Sequence, residues 1–262
     1  MSITRKQFED LVQRIAPLQY AYDWDNSGTT LAMHDKVEKI LVCLDVDDAA
    51  LSEAEALGCD TILSHHPLIF HPLKKLRKGE PVEEQVIRAV RLGFNLYAAH
   101  TSSDHAPDGL NRALAEALAL KNQRLFCQEE DGMGIGVIGE LEADLDTGEF
   151  AQYVGRRLDA KAMWGGAEKR VRTVACIGGA AGEFFLEAAR LGADAFVTGE
   201  AKYNQFLDAQ TAGVALVAAG HYHTERVFVA WAADSLQRAA NALQYNIQLC
   251  KSERMRSPYR VL

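Results

Sequence analysis

The chain lacks any apolar run approaching the roughly 18 residues that suggest a membrane span. It also lacks a Cys-x-x-Cys spacing, the usual signature of thiolate metal or redox sites. Its five cysteines are odd in number and scattered, and Cys43 and Cys176 stand in apolar runs, where cysteine acts as a small hydrophobe. A basic excess is missing too. Lys and Arg number 28 against 36 Asp and Glu, for a net charge of −8. That balance argues against a nucleic-acid surface and against anionic lipid, and is no obstacle to binding metal cations. The start, Met1 to Lys6, leads into a charged amphipathic helix and not a signal peptide. Together these absences indicate a reducing cytoplasm. What remains is 262 residues, 48% apolar and 24% charged, which suits one large α/β domain or two modest ones.

Strand-like runs alternate with helical patterns throughout, the mark of an α/β protein with mostly parallel sheets. Thr4 and Gln7 have capping-box spacing, and Phe8, Leu11, Val12 and Ile15 recur at i, i+3, i+4 and i+7 until Pro17. A strand over 40–44 precedes a helix over 49–57 that Gly58 closes. The strand Thr61 to Leu63 leads to a basic loop over 71–79. A helix over 82–92, a strand over 95–99 and a helix over 109–120 follow. The glycine-rich stretch 131–136 is expected to mark a domain boundary. Beyond it come a strand over 135–141, a helix over 148–158, a strand over 172–177 and a helix over 183–191. There the chain echoes its first half. Leu57-Gly58-Cys59-Asp60 compares with Leu191-Gly192-Ala193-Asp194, and Gly93 to His100 compares with Gly213 to His221. The expectation is two related α/β lobes, 1–128 plus 226–262 and 129–225, with the functional site in the cleft between them. The alternative is two generic βαβ units that share punctuation.

Three short segments carry the chemistry: Ser64-His65-His66-Pro67, His100 to Asp104 and His221 to Glu225. Each follows an apolar strand, and ligands of parallel sheets gather beyond the carboxyl ends of strands. The four histidines His65, His66, His100 and His221 and the carboxylates Asp104 and Glu225 exceed what one tetrahedral ion needs. Two ions are therefore expected. His221 and Glu225, four apart at the start of a helical run, share one face, while His223 at i+2 points away. Adjacent His65 and His66 suit two ions better than one; alternatively one ring binds metal and the other caps a carbonyl. His34, His71 and His105 read as surface or loop residues. Imidazole with carboxylate suits Zn, Mn, Fe, Co or Ni. The turn Gly178 to Gly182 is either a phosphate cradle or a tight turn without ligand. Glu200, in Thr198-Gly199-Glu200-Ala201-Lys202, reads as a general base, as support for a ligand, or as the first acid of a helix.

Taken in order, Asp23-Trp24-Asp25-Asn26-x-Gly28, Ser-His-His-Pro-Leu-Ile-Phe from Ser64, His-Thr-x-x-Asp from His100, Thr-Gly-Glu-x-Lys from Thr198 and Gly-His-x-x-Thr-Glu from Gly220 resemble the Nif-three-like family. Its members are often labelled GTP cyclohydrolase I type 2 homologues. The resemblance implies a two-lobed α/β protein assembling as a toroidal homohexamer, with a dinuclear centre whose ligands map to His65, His66, His100, Asp104, His221 and Glu225. It also implies a metal-dependent hydrolase acting on a small molecule such as a purine nucleotide, with Glu200 or Glu225 managing protons. The other readings are a dinuclear phosphoesterase or amidohydrolase, or a metal-dependent regulatory scaffold without turnover. The chain departs from its relatives at Tyr203 and Asn204, where histidines are usual, and at Asn26-Ser27-Gly28-Thr29-Thr30.

Overall fold

A computed structural model describes residues 2–126 and 134–261. In chain order the first elements are β1 (Ile3–Thr4), α1 (Arg5–Ile15), β2 (Gly28–Leu31), β3 (Lys36–Val37), β4 (Lys39–Cys43), α2 (Asp48–Leu57), β5 (Thr61–Ser64), α3 (Pro81–Leu92), β6 (Asn95–Ala98) and α4 (Thr101–Asp104). Next come α5 (Leu110–Ala117), β7 (Lys121–Leu125), β8 (Val137–Asp146), α6 (Thr147–Leu158), β9 (Met163–Gly166), β10 (Arg170–Cys176), α7 (Phe185–Arg190), β11 (Ala195–Thr198), α8 (Tyr203–Ala212), β12 (Ala215–Ala218) and α9 (His221–Glu225). The long α10 (Val227–Ala242) and β13 (Gln248–Lys251) close the chain. No helix of the described residues is long and apolar enough to cross a membrane.

Two compact units result. The first holds Met1–Ala106 and Phe228–Arg256, the second Pro107–Val227 and Ser257–Leu262. The boundary expected at 128–129 lies outside the described residues; the division falls at Ala106 and Pro107 instead. Packing explains the difference. Leu114 and Leu118 of the α5 region pack on Val137, Phe150 and Val174, and β7 pairs with β8, so both elements belong to the second unit. The last six residues join it as well, although they were expected with the first lobe.

In the first unit the sheet order is β13-β4-β5-β6-β2, parallel except for the edge strand β2. Leu41, Cys43, Ile62 and Leu96 pack against Leu51, Ala54 and Ala89 of α2 and α3. Ile40, Val42, Leu63 and Tyr97, on the opposite face, are also buried, and Phe8 of α1 meets Tyr97 edge-on at 5.8 Å. Both faces are covered, which is why these strands read as continuous apolar runs. The expected capping box of α1 forms, with the Gln7 N–H donating to Thr4 Oγ1 at 3.2 Å and the Thr4 N–H to Gln7 Oε1 at 2.8 Å.

The second unit has the order β7-β8-β10-β11-β12-β9, with β10, β11 and β12 parallel and the others antiparallel. From Val174 onward in β10, and along β11 and β12, side chains alternate between the two faces. Val174, Cys176, Ala195 and Val197 pack with α6, while Ala175, Phe196 and Leu216 pack with α7 and α8.

The sequence echo has a hydrogen-bond counterpart in each unit. Asp60 Oδ2 accepts from the N–H groups of Glu38 and Lys39 at 2.8 and 2.9 Å, and Asp194 Oδ2 accepts from those of Arg172 and Thr173 at 3.0 and 2.9 Å. Each aspartate also donates its own N–H to the preceding strand, Asp60 to Lys39 O and Asp194 to Thr173 O. Each accepts at its carbonyl from the next strand, from Asn95 and from Ala215. One aspartate, through its carboxylate and its backbone together, thus ties three successive parallel strands in register, once per unit.

Candidate metal centre

In the first unit the end of β5 and the end of β6 deliver three imidazoles to one place. His65 follows Ser64 directly, and the His65 and His66 N–H groups donate to Cys43 and Leu44 carbonyls, holding the pair extended beyond the strand. His100 stands at the N-terminus of the single-turn helix α4, whose last residue is Asp104. Nitrogens of His65, His66 and His100 lie within 4.8 Å of one another. Their ring centroids are 4.7, 5.1 and 5.5 Å apart. His65 Nε2 is 3.9 Å from Asp104 Oδ1.

Whether this group fits a metal is decided by the other ring nitrogens. A ligating imidazole donates its second N–H to a carboxylate or carbonyl, which fixes its tautomer. His65 Nδ1 meets Ala99 O at 3.1 Å, His66 Nδ1 meets Asp45 Oδ1 at 2.8 Å and His100 Nδ1 meets Asp25 Oδ1 at 2.7 Å. Each acceptor keeps the proton on Nδ1 and presents Nε2 as the ligand atom. Ligand atoms roughly 2.1 Å from one tetrahedral ion stand roughly 3.4 Å apart, so small ring movements bring these nitrogens to bonding distance. The residues fit a transition-metal ion.

Asp25 is the most constrained of the supporting groups. Its side chain is fully shielded, with Oδ2 accepting from Ser27 Oγ at 2.6 Å and from Thr101 Oγ1 and N at 2.7 and 3.1 Å. Burial alone would push its carboxyl up. Hydrogen bonds from His100, Ser27 and Thr101 outweigh that and hold it well below the usual carboxylate range. Asp45, by contrast, is 55% exposed.

In the second unit α9 carries His221 and Glu225 on one face, with Nε2 and Oε2 at 2.9 Å. Glu200, beyond the end of β11, holds His221 Nδ1 at 2.8 Å, so it orients that ring as Asp25 and Asp45 orient theirs. Glycines make this possible. A side chain at Gly179, which has φ +67°, would collide with Glu225 Oε1. One at Gly199 would stand 2.8 Å from the His221 Cα. In the Gly178 to Gly182 turn, three of the N–H groups that a phosphate would need already have partners. The N–H groups of Gly178, Gly179 and Ala181 are taken by Asn111 Oδ1, Thr224 Oγ1 and Thr198 Oγ1.

His223 takes no part in the His221–Glu225 pair; it borders a groove with Trp164 and Tyr259. His71 is exposed and His34 partly so, as expected. His105 is not a surface residue. It is 2% exposed, its Nδ1 lies 2.8 Å from Thr101 O, and its ring meets Tyr22 edge-on at 4.5 Å. Capping the short α4 helix draws it inward. Sequence reasoning missed Asp45 altogether and quoted Asp25 only as part of a motif. The one signal for either was an acidic residue beyond a strand or within a polar loop.

The family model for Duf34/NIF3 (NGG1p interacting factor 3) matches residues 3–258. A curated relative from Clostridium acetobutylicum, named GTP cyclohydrolase 1 type 2 homolog, is 26% identical over 99% of both chains. Another of that name, from Nostoc, is 34% identical over 74% of this chain and 75% of its own. Among solved structures, a Staphylococcus aureus hypothetical protein superposes with a TM-score of 0.95 at 25% identity over the whole of both chains. A Bacillus cereus protein related to NIF3 gives 0.91 at 24% identity over 99% of each, which speaks to the fold. With the strand-end histidines and their supporting carboxylates in place, the match along nearly its full length means that the chain belongs to the Duf34/NIF3 family.

Proposed function

We propose that this protein is a dinuclear metal-dependent hydrolase acting on a purine nucleotide, in keeping with the name its relatives carry. The observation that supports it best is the convergence of three imidazoles whose Nδ1 atoms are all engaged by acceptors. The proposed ligands are His65, His66, His100, Asp104, His221 and Glu225, serving two divalent ions drawn from Zn, Mn, Fe, Co and Ni. Bound there, such ions supply a water nucleophile near neutral pH and offset charge that develops on the substrate. Asp25, Asp45 and Glu200 hold three of the rings. Glu225, buried beside His221, is the proposed proton carrier. Glu200, 57% exposed and bonded to the same ring, is the second candidate for that task. The free thiols of Cys43, Cys59, Cys176 and Cys250 suit a reducing compartment, and a cytoplasmic homohexamer is the proposed assembly.

The test is turnover after loading with Mn, Fe or Zn, with products identified by mass spectrometry. GTP opening at the guanine ring is the expected result. Turnover of phosphoesters or amides alone would move the reading to those classes, and none across the panel would leave a regulatory scaffold. Elemental analysis should give two ions per chain in wild type and fewer in His66→Ala and Asp104→Ala. A content that never exceeds one under metal excess removes the dinuclear reading.

A further inference from the structure

Beside the imidazole group lie two large aromatic rings that pack into no core. Trp24 is 62% exposed and Phe70 is 42% exposed. Their centroids are 6.1 Å apart, and each lies close to the ring of His100, at 6.3 and 5.9 Å. One face of Trp24 rests on Tyr22, at 5.4 Å with planes 25° apart.

This display is fixed on both sides. Asp25, the residue after Trp24, is held by His100, Thr101 and Ser27. Asn26 donates from Nδ2 to the carbonyl of Ile69, the residue before Phe70. The two loops are thereby clipped together two residues from Trp24 and one from Phe70, and the same aspartate that orients His100 also anchors the residue after Trp24. Exposed aromatic area of this size is costly in water and is characteristic of a binding surface. Past Phe70 the loop carries Lys74, Lys75 and Lys78, all exposed, and none of the ion pairs among the described residues uses them. Arg77 of the same loop is paired with Glu83 at 2.7 Å.

We propose that Trp24 and Phe70 form a stacking platform for a planar heteroaromatic ring presented to the His65, His66 and His100 group, with the following lysines favouring a phosphorylated form of that ligand. The proposal names the ring-binding residues of the site and rests on the metal-centre reading only for what the ring is presented to. Stacking on an aromatic side chain tolerates any base, because every base has a π-face. Selectivity for ring over sugar is therefore the expected signature.

The test is calorimetric binding of guanosine, GTP, cytidine and ribose 5-phosphate to the metal-loaded protein. Trp24→Ala should weaken guanosine and GTP alike by about 5- to 150-fold, and Trp24→Phe should restore most of it. Metal content should stay that of wild type in both variants. Changing Lys74, Lys75 and Lys78 together to Ala should weaken GTP and leave guanosine unchanged. Binding that ignores both Trp24→Ala and Phe70→Ala overturns the proposal, as does a wild type that binds ribose 5-phosphate as well as guanosine. A Trp24→Ala protein that changes its oligomeric mass in light scattering, with ring binding intact, shows an interface between copies and overturns it too. Wild type that binds guanosine but no metal leaves the platform standing and removes the metal centre instead.

Discussion

Replacing Asp25 by Asn exchanges one oxygen for an NH2 and tests the supporting scheme of the proposed metal centre. The carboxylate accepts from five donors: Oδ1 from the Asn26 N–H at 2.8 Å and from His100 Nδ1 at 2.7 Å, and Oδ2 from Ser27 and twice from Thr101. An amide offers one oxygen and one NH2. Turned with its NH2 towards Ser27 and Thr101, it opposes three donors. Turned the other way, it opposes the Asn26 N–H and forces His100 to accept at Nδ1, which places the ring proton on Nε2. That tautomer cannot ligate a metal through Nε2. Loss of such an orienting partner usually costs 10- to 100-fold in metal affinity, about 1.4 to 2.7 kcal/mol. The buried polar mismatch adds about 1–3 kcal/mol to the loss of fold stability. Competition against a chromophoric chelator measures the first, and urea unfolding of the metal-free protein the second. If the effect runs through His100, Asp25→Asn in a His100→Ala background should cost little further affinity. Unchanged affinity in the single variant, or full additivity in the double, would refute the reasoning.

Three other outcomes are expected. Gly179→Ala should drive the Glu225 carboxylate from its place and add about 1–2 kcal/mol of backbone strain at φ +67°. Metal content should fall while the first-unit group still binds, and a variant with full metal content would show that Glu225 is no ligand. Asp194 is driven up by burial and held below its usual range by the Thr173 N–H, Lys169 and the Arg172 N–H. A depressed carboxyl stabilises the fold above its unfolded value near 4 and loses that contribution as pH falls through the folded value. The gap in urea midpoint between wild type and Asp194→Ala should therefore be level above about pH 5 and narrow below it; a constant gap down to pH 3 would contradict this. Finally, light scattering should give about six times the 28.8 kDa chain, and a strictly monomeric species at micromolar concentration would remove the proposed ring.

What the sequence reveals and what it hides divides along the range of the interaction involved. Helix starts and stops are local: Thr4 with Gln7, Gly58 at φ +66° and Gly93 at φ +74° mark their helices within three or four residues, and each ends where the pattern predicts. Continuous apolar strands such as Ile40 to Cys43 are equally plain, because both faces of the sheet are covered. The edge strands β2, β7, β9 and β13 escape notice for the opposite reason. Each is at least partly exposed and short or irregular, and only its neighbour makes it a strand.

The site follows the same rule one level up. Histidines beyond apolar strands are visible because position alone gives them meaning. Their partners are not, since Asp25 reaches His100 across 75 residues and Asp45 reaches His66 across 21. An aspartate in a loop looks alike whether it faces water or fixes a ring, and only the fold separates the two. The same holds for Gly179 and Gly199, whose missing side chains matter because Glu225 and His221 lie against them. Sequence thus exposes the atoms that would touch a metal, while the atoms that aim them are set by tertiary contacts. The sharpest test therefore falls on Asp25, which touches no metal in this scheme: if orienting groups set affinity, changing it should cost a measurable part of what removing His100 costs.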